Sequence, residues 1–148
     1  MLLPFEYYSD GKYKYSTALM FSYINIFKPK KVKLDINKLS FNLYYENWEN
    51  NVRPIDVMND MKNKKYEDEV KRIKKSDTRY SIIIDTNNNI IDGIHRYVKC
   101  VLNKKKTINV IIFDEKMMKK FIISKHNEKK EFEICDVIEL FIKRFIKL

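Results

Sequence analysis

The chain has 148 residues, of which 45% are apolar, 14% aromatic and 34% charged. This balance argues against disorder and leaves enough apolar surface for a buried core. No apolar run approaches the ~20 residues that cross a bilayer, and Met1–Glu6 lack the basic and apolar regions of a secretory signal. Two cysteines, Cys100 and Cys135, are too few for a disulfide framework and lack metal-ligand spacing. The expectation is a protein of a reducing compartment, the cytoplasm, with no membrane partner. The formal net charge is +10, from 30 basic and 20 acidic residues. Only five of the basic residues are arginines, the better readers of phosphates and bases. Such a lysine excess also follows from AT-rich coding, so charge makes nucleic acid a candidate partner without establishing it.

In chain order, residues 1–30 are rich in Tyr and Phe, with a turn at Ser9-Asp10-Gly11, and Pro29 closes the region. Val32-Lys33-Leu34-Asp35-Ile36 alternates and predicts a strand. Phe41 to Trp48 fits either a strand or a helix. Pro54 opens a short helix with Ile55, Val57, Met58 and Met61 as its apolar positions. Residues 66–75 predict a charged helix with Glu67/Lys71 and Asp68/Arg72 pairs and a buried edge of Tyr66, Val70 and Ile73. Tyr80–Asp85 is β-branched and predicts a strand. Thr86–Asn89 is a turn, and Ile90-Ile91 begin the return strand.

The most informative segment follows: Ile90-Ile91-Asp92-Gly93-Ile94-His95-Arg96-Tyr97-Val98-Lys99-Cys100. Ile94, Tyr97, Val98, Val101 and Leu102 carry helical spacing and predict a core-facing stripe. A strand, a glycine and a helix start make an anion-binding geometry, because first-turn N–H groups lack partners and lie at the positive end of the helix dipole. Gly93 allows the tight turn, and Arg96 can clamp a phosphate or carboxylate. Asp92 either caps the helix, holds Mg²⁺ or acts as a base. His95 is either a donor or general acid, or a structural helix-end histidine. Cys100 is expected inside. Lys104–Lys106 end the helix and can touch nucleic acid or simply be solvated. Thr107–Phe113 predicts another strand, Asp114 caps a helix running to about Phe121, and a charged loop spans His126–Glu131. A last helix carries Ile134, Val137, Ile138, Phe141, Ile142 and Phe145 as its stripe, suited to core packing or to a homodimer. The whole is an α+β fold with a small mixed sheet.

From about Ser76 to Phe113 the chain resembles the ParB/sulfiredoxin-like superfamily. The match rests on a strand, a short turn, Asp92-Gly93-Ile94-His95-Arg96, a helix, a basic turn and a strand. Val32–Leu39 would correspond to the family's first strand. The overall look is similar to ParB-like proteins of viruses and microbial eukaryotes, which adds a host cytoplasm or nucleus as a location. The resemblance implies one ParB/sulfiredoxin-like domain: an N-terminal extension (1–31), a core (32–113) and C-terminal helices (114–148). It also implies a nucleotide of the ATP or CTP class with Mg²⁺, bound by Gly93, Ile94, His95, Arg96 and Lys99. Asp92 and His95 would do chemistry, and Asp92 would be the metal ligand. Phosphoryl transfer needs a further carboxylate, for which Glu46 and Glu49 are the candidates. Asp77 could line the same cleft or be a buried turn aspartate. Ile94 stands where sulfiredoxins carry their cysteine, so sulfinic-acid repair is not implied. Only 35 residues follow Phe113, too few for the DNA-binding and dimerisation domains of a full partition protein. The rival reading is a nucleic-acid-binding module of a viral or mobile-element complex, either non-catalytic or nuclease-like.

Overall fold

Short β-branched and aromatic runs supply seven strands, and six α-helices lie between them among the described residues. The structure is a computed structural model and describes residues 6–129 and 131–146. In chain order it forms β1 (Tyr7–Ser9), β2 (Tyr13–Ser16), α1 (Thr17–Phe27), β3 (Val32–Asp35), α2 (Pro54–Asn59), α3 (Glu67–Lys75), β4 (Ile82–Asp85), β5 (Ile90–Asp92), α4 (Ile94–Leu102), β6 (Thr107–Phe113), α5 (Glu115–Lys119), β7 (Ile122–Lys125) and α6 (Ile134–Phe145). Tighter 3₁₀ turns cover Ile36–Tyr44, Glu49–Asn51 and Lys64–Tyr66. The fold is α+β with two small sheets. Contacts gather into two units: residues 31–112, and the described residues up to 30 together with those from 113 onward.

In the 31–112 unit the sheet order is β3-β6-β4-β5. β3 runs antiparallel to β6 in the register Val32↔Val110 to Asp35↔Thr107, and β4 runs antiparallel to β5. The Asp85 carboxylate builds the β4–β5 turn by accepting from the N–H groups of Asn87 and Asn89, both at 2.9 Å. Asn42 is buried and fully engaged. Its amide donates to the carbonyls of Leu39 and Asn88, and its oxygen accepts from the N–H of Ile90. That one side chain ties the 3₁₀ segment to the hairpin. The core beneath holds Leu39, Val57, Ile73, Ile84, Tyr97, Val98 and Val110, and each such fully buried side chain contributes about 1.5–3 kcal/mol. The Tyr97 hydroxyl donates to the carbonyl of Ile36 at 2.8 Å, and burial pushes its pKa up to about 12. This anchors α4, and with it the junction at its start.

The other unit holds the sheet β1-β2-β7, both pairings antiparallel. Phe113, Phe121 and Phe145 pack as rings around Tyr23 of α1, and Phe141 meets Phe27 and Phe145.

Several sequence expectations need correction. α1 and β7 arise where neither was predicted. The helix expected to run to about Phe121 stops at Lys119, because Phe121 turns in and is fully buried. Phe41–Trp48 is 3₁₀ helix through Tyr44 and then extended at Tyr45. β4 starts at Ile82, and Tyr80 is 66% exposed. Leu102 is exposed and Cys100 is buried, so the buried face of α4 is rotated slightly from the expected stripe. Arg72 meets Glu69 at 3.9 Å rather than Asp68, whereas Glu67–Lys71 forms as read. On α6 only Val137 and Phe141 of the stripe are buried, while Ile134, Ile138 and Ile142 face outward.

Candidate functional site

β5 ends at Asp92 and α4 begins at Ile94, so one residue makes the whole turn. That residue, Gly93, sits at φ 102°, ψ 24°, a left-handed conformation that strains any L side chain. The guanidinium of Arg96 also lies close over this position. A Cβ at position 93 would lie 2.9 Å from Arg96 Nη2 and 3.2 Å from Arg96 Cζ. The guanidinium therefore lies across the glycine. Its Nη2 donates to Asp92 Oδ2 at 2.9 Å and to the carbonyl of Ser81 at 3.2 Å. Two polar atoms here are buried with no hydrogen-bond partner: Arg96 Nε and Ser81 Oγ. The helix cap expected from Asp92 is not made. Gly93 takes the N-cap position, which has no side-chain cap, and the Asp92 carboxylate turns to Arg96 instead.

His95 leaves the same helical turn in a different direction, since successive residues are about 100° apart around the axis. Its Nε2 donates to Glu69 Oε2 of α3 at 2.7 Å. Its ring stacks on Trp48, with centroids 4.8 Å apart and planes 14° from parallel. Trp48 Nε1 is buried and also lacks a partner. One turn on, Lys99 Nζ donates to the carbonyls of Lys74 and Ser76, at 2.7 and 2.8 Å. It thus satisfies carbonyls left open at the end of α3.

The set expected to bind phosphate is therefore divided. Asp92, Gly93 and Arg96 meet each other. His95 and Lys99 face α3, and Ile94 packs partly against the core. Glu46 and Glu49 are exposed. Among the described residues, no hydrogen bond or ion pair joins either of them to Asp92, His95 or Arg96. Their segment reaches the helix through Trp48, which lies between them in sequence. Asp77 is not a buried turn aspartate. Both its oxygens accept from the Arg79 guanidinium, as close as 2.7 Å, and Arg79 holds its pKa down at about 2.

On the Arg96 side of α4 opens a cleft of about 140 Å³, bordered by Arg79, Tyr80, Arg96, Lys105, Thr107 and Asn109. Cys100 lines its floor, and burial pushes that thiol's pKa up.

Sequence reasoning missed Glu69, Trp48, Ser81 and this cleft. Glu69 carried one signal. It is an acidic residue in a charged helix that falls one position before Val70, close to the buried edge.

Protein-family models, curated proteins and solved structures gave no match to this chain. Among the described residues no three His, Cys, Asp or Glu side chains gather as a metal site, and no helix is long and apolar enough to cross a membrane.

Proposed function

We propose that residues 31–112 are a ParB/sulfiredoxin-like core that binds nucleotide phosphates at the Asp92–Arg96 junction and supports phosphoryl transfer or nucleotide hydrolysis. The observation that carries this reading is the Arg96 guanidinium, laid over a required glycine with its Nε buried and unbonded. A buried donor without a partner costs about 1–3 kcal/mol. A phosphate oxygen accepts from such a donor and relieves that cost. The first N–H groups of α4 point the same way.

Asp92 supplies the negative charge that Arg96 uses now, so an incoming phosphate exchanges with a carboxylate rather than filling an empty clamp. Among the described residues Asp92 is the carboxylate paired with Arg96, and Glu69 is engaged by His95. Mg²⁺ would therefore arrive on the nucleotide and be held through its phosphates, with Asp92 as the one protein ligand. Glu69 keeps the Nε2 proton of His95 and thereby fixes its tautomer, leaving Nδ1 to accept or deliver a proton. In this reading Glu69 orients His95, a role different from the base or metal ligand expected of Glu46 and Glu49.

The test is a thermal-shift panel of ATP, ADP, CTP and GTP with Mg²⁺, on wild type and Arg96→Ala. A nucleotide at ~100 times its dissociation constant adds about 2.7 kcal/mol of stability. The expected result is a shift in wild type that is lost in Arg96→Ala. Absence of any nucleotide shift in wild type overturns the proposal.

A further inference from the structure

We infer that the cleft between Thr78–Tyr80 and the start of β6 docks single-stranded nucleic acid, with Tyr80 as the platform on which a base stacks. Tyr80 is 66% exposed, more than any other large apolar side chain among the described residues. It is held out by its backbone rather than dangling. The N–H of Arg79 donates to Asp77 Oδ1 at 3.0 Å, and the N–H of Tyr80 donates to the carbonyl of Asp77 at 3.3 Å. The cleft that Tyr80 borders is also lined by Arg79, Arg96 and Lys105, and Lys104 and Lys106, exposed, flank Lys105 in sequence. Lone exposed aromatics and solvated lysine runs are each ordinary. An exposed aromatic side chain and several cations bordering one cleft are the elements by which strands are held without sequence readout.

The size of the cleft favours a polymer over a small molecule. About 140 Å³ is well under the roughly 300 Å³ at which small-molecule pockets begin. It admits a phosphate, while the rest of the ligand must lie along the surface. A base inside a duplex has both faces covered by its neighbours and cannot reach the Tyr80 ring, so the strand is single. Asp77 and Asp92 already neutralise Arg79 and Arg96 in part. The excess positive charge is then that of Lys104, Lys105 and Lys106. Three lysine contacts to a single strand give a salt slope of about −2 in log–log form. Arg96 borders both this cleft and the Asp92–Arg96 junction, so the inference is tested at Tyr80 and Lys105, which the nucleotide proposal does not use.

The experiment is fluorescence anisotropy of the full chain with a labelled oligo-dT of about twelve nucleotides, against a duplex of equal length, over a range of salt. The expected result is binding of the single strand in preference to the duplex, with the slope given above. Tyr80→Ala should weaken it about tenfold and Tyr80→Phe should preserve it. Lys105→Glu should weaken it and flatten the slope by about one. Circular dichroism of the variants checks that each is folded, and Tyr80→Phe stands in if Tyr80→Ala is not. Failure to bind oligo-dT, indifference to Tyr80→Ala in a folded variant, or loss of affinity in Tyr80→Phe overturns the inference. A nucleotide thermal shift that persists in Tyr80→Ala keeps the two sites distinct.

Discussion

His95 and Arg96 are neighbours in sequence, yet they serve opposite sides of one helix. On the Arg96 side the contacts are local: Asp92, Gly93 and the carbonyl of Ser81, with unbonded polar atoms and an open cleft. On the His95 side the contacts are distant, and Trp48 Nε1 is buried there without a partner. Glu69 accepts the hydrogen bond of His95, Trp48 covers that ring, and Lys99 closes the end of α3. The His95 side is knitted to α3 and Trp48, whereas the Arg96 side borders an open cleft. Adjacency in a motif thus says little about convergence in space, because each helical step rotates the next side chain by about 100°.

The largest test of this contrast is Gly93→Ala. Left-handed φ and the 2.9 Å approach to Arg96 Nη2 both oppose a Cβ. The variant should lose about 2 kcal/mol, read as a lower urea midpoint at unchanged slope. Next comes the knitted side. A double-mutant cycle of Glu69→Gln and His95→Ala should show coupling of about 1–2 kcal/mol. Coupling near zero would mean that the 2.7 Å contact is incidental and that the two sides are energetically alike. Lys99→Ala should cost about 0.3–1 kcal/mol and speed amide exchange in the last turn of α3, while exchange at Asn87 and Asn89 stays as it was. The smallest effect concerns Asp77. Its folded pKa of about 2 lies below the unfolded 3.8, so its contribution is present above the unfolded value. That contribution is lost as pH falls from about 4 through about 2. Carboxyl NMR titration should show the depressed midpoint in wild type and its return toward 3.8 in Arg79→Ala.

The elements that could be read from sequence have a one-sided pattern. β3 alternates, α3 and α4 place apolar residues at helical spacing, and β6 is a β-branched run with basic residues before it. α1 offered no such contrast. Thr17–Phe27 is apolar on nearly every side, so its periodicity vanishes and only its Ser16 cap marks the start. β7 is four residues long and follows directly on α5, too short to show alternation. At the site, Asp92, Gly93 and Arg96 could be read because they interact within one helical turn. Glu69 and Trp48 could not, because each reaches His95 across more than twenty residues and nothing local marks a partner that far away. The contacts of Lys99 were hidden for a similar reason. Its helical position was right, but its destination lay in a backbone end that sequence does not display.

The strand order β1-β2-β7 also sets the timing of assembly. Residues 31–112 are contiguous, and their sheet needs only strands already made once β6 emerges from the ribosome. β2 pairs with β7, which is synthesised roughly a hundred residues later, so that pairing closes a long loop at a slowly growing entropic cost. Until then the β2 edge of the Tyr-rich hairpin has no partner. The 31–112 sheet can therefore close first, and the second unit is completed only when the late segment returns to the early one.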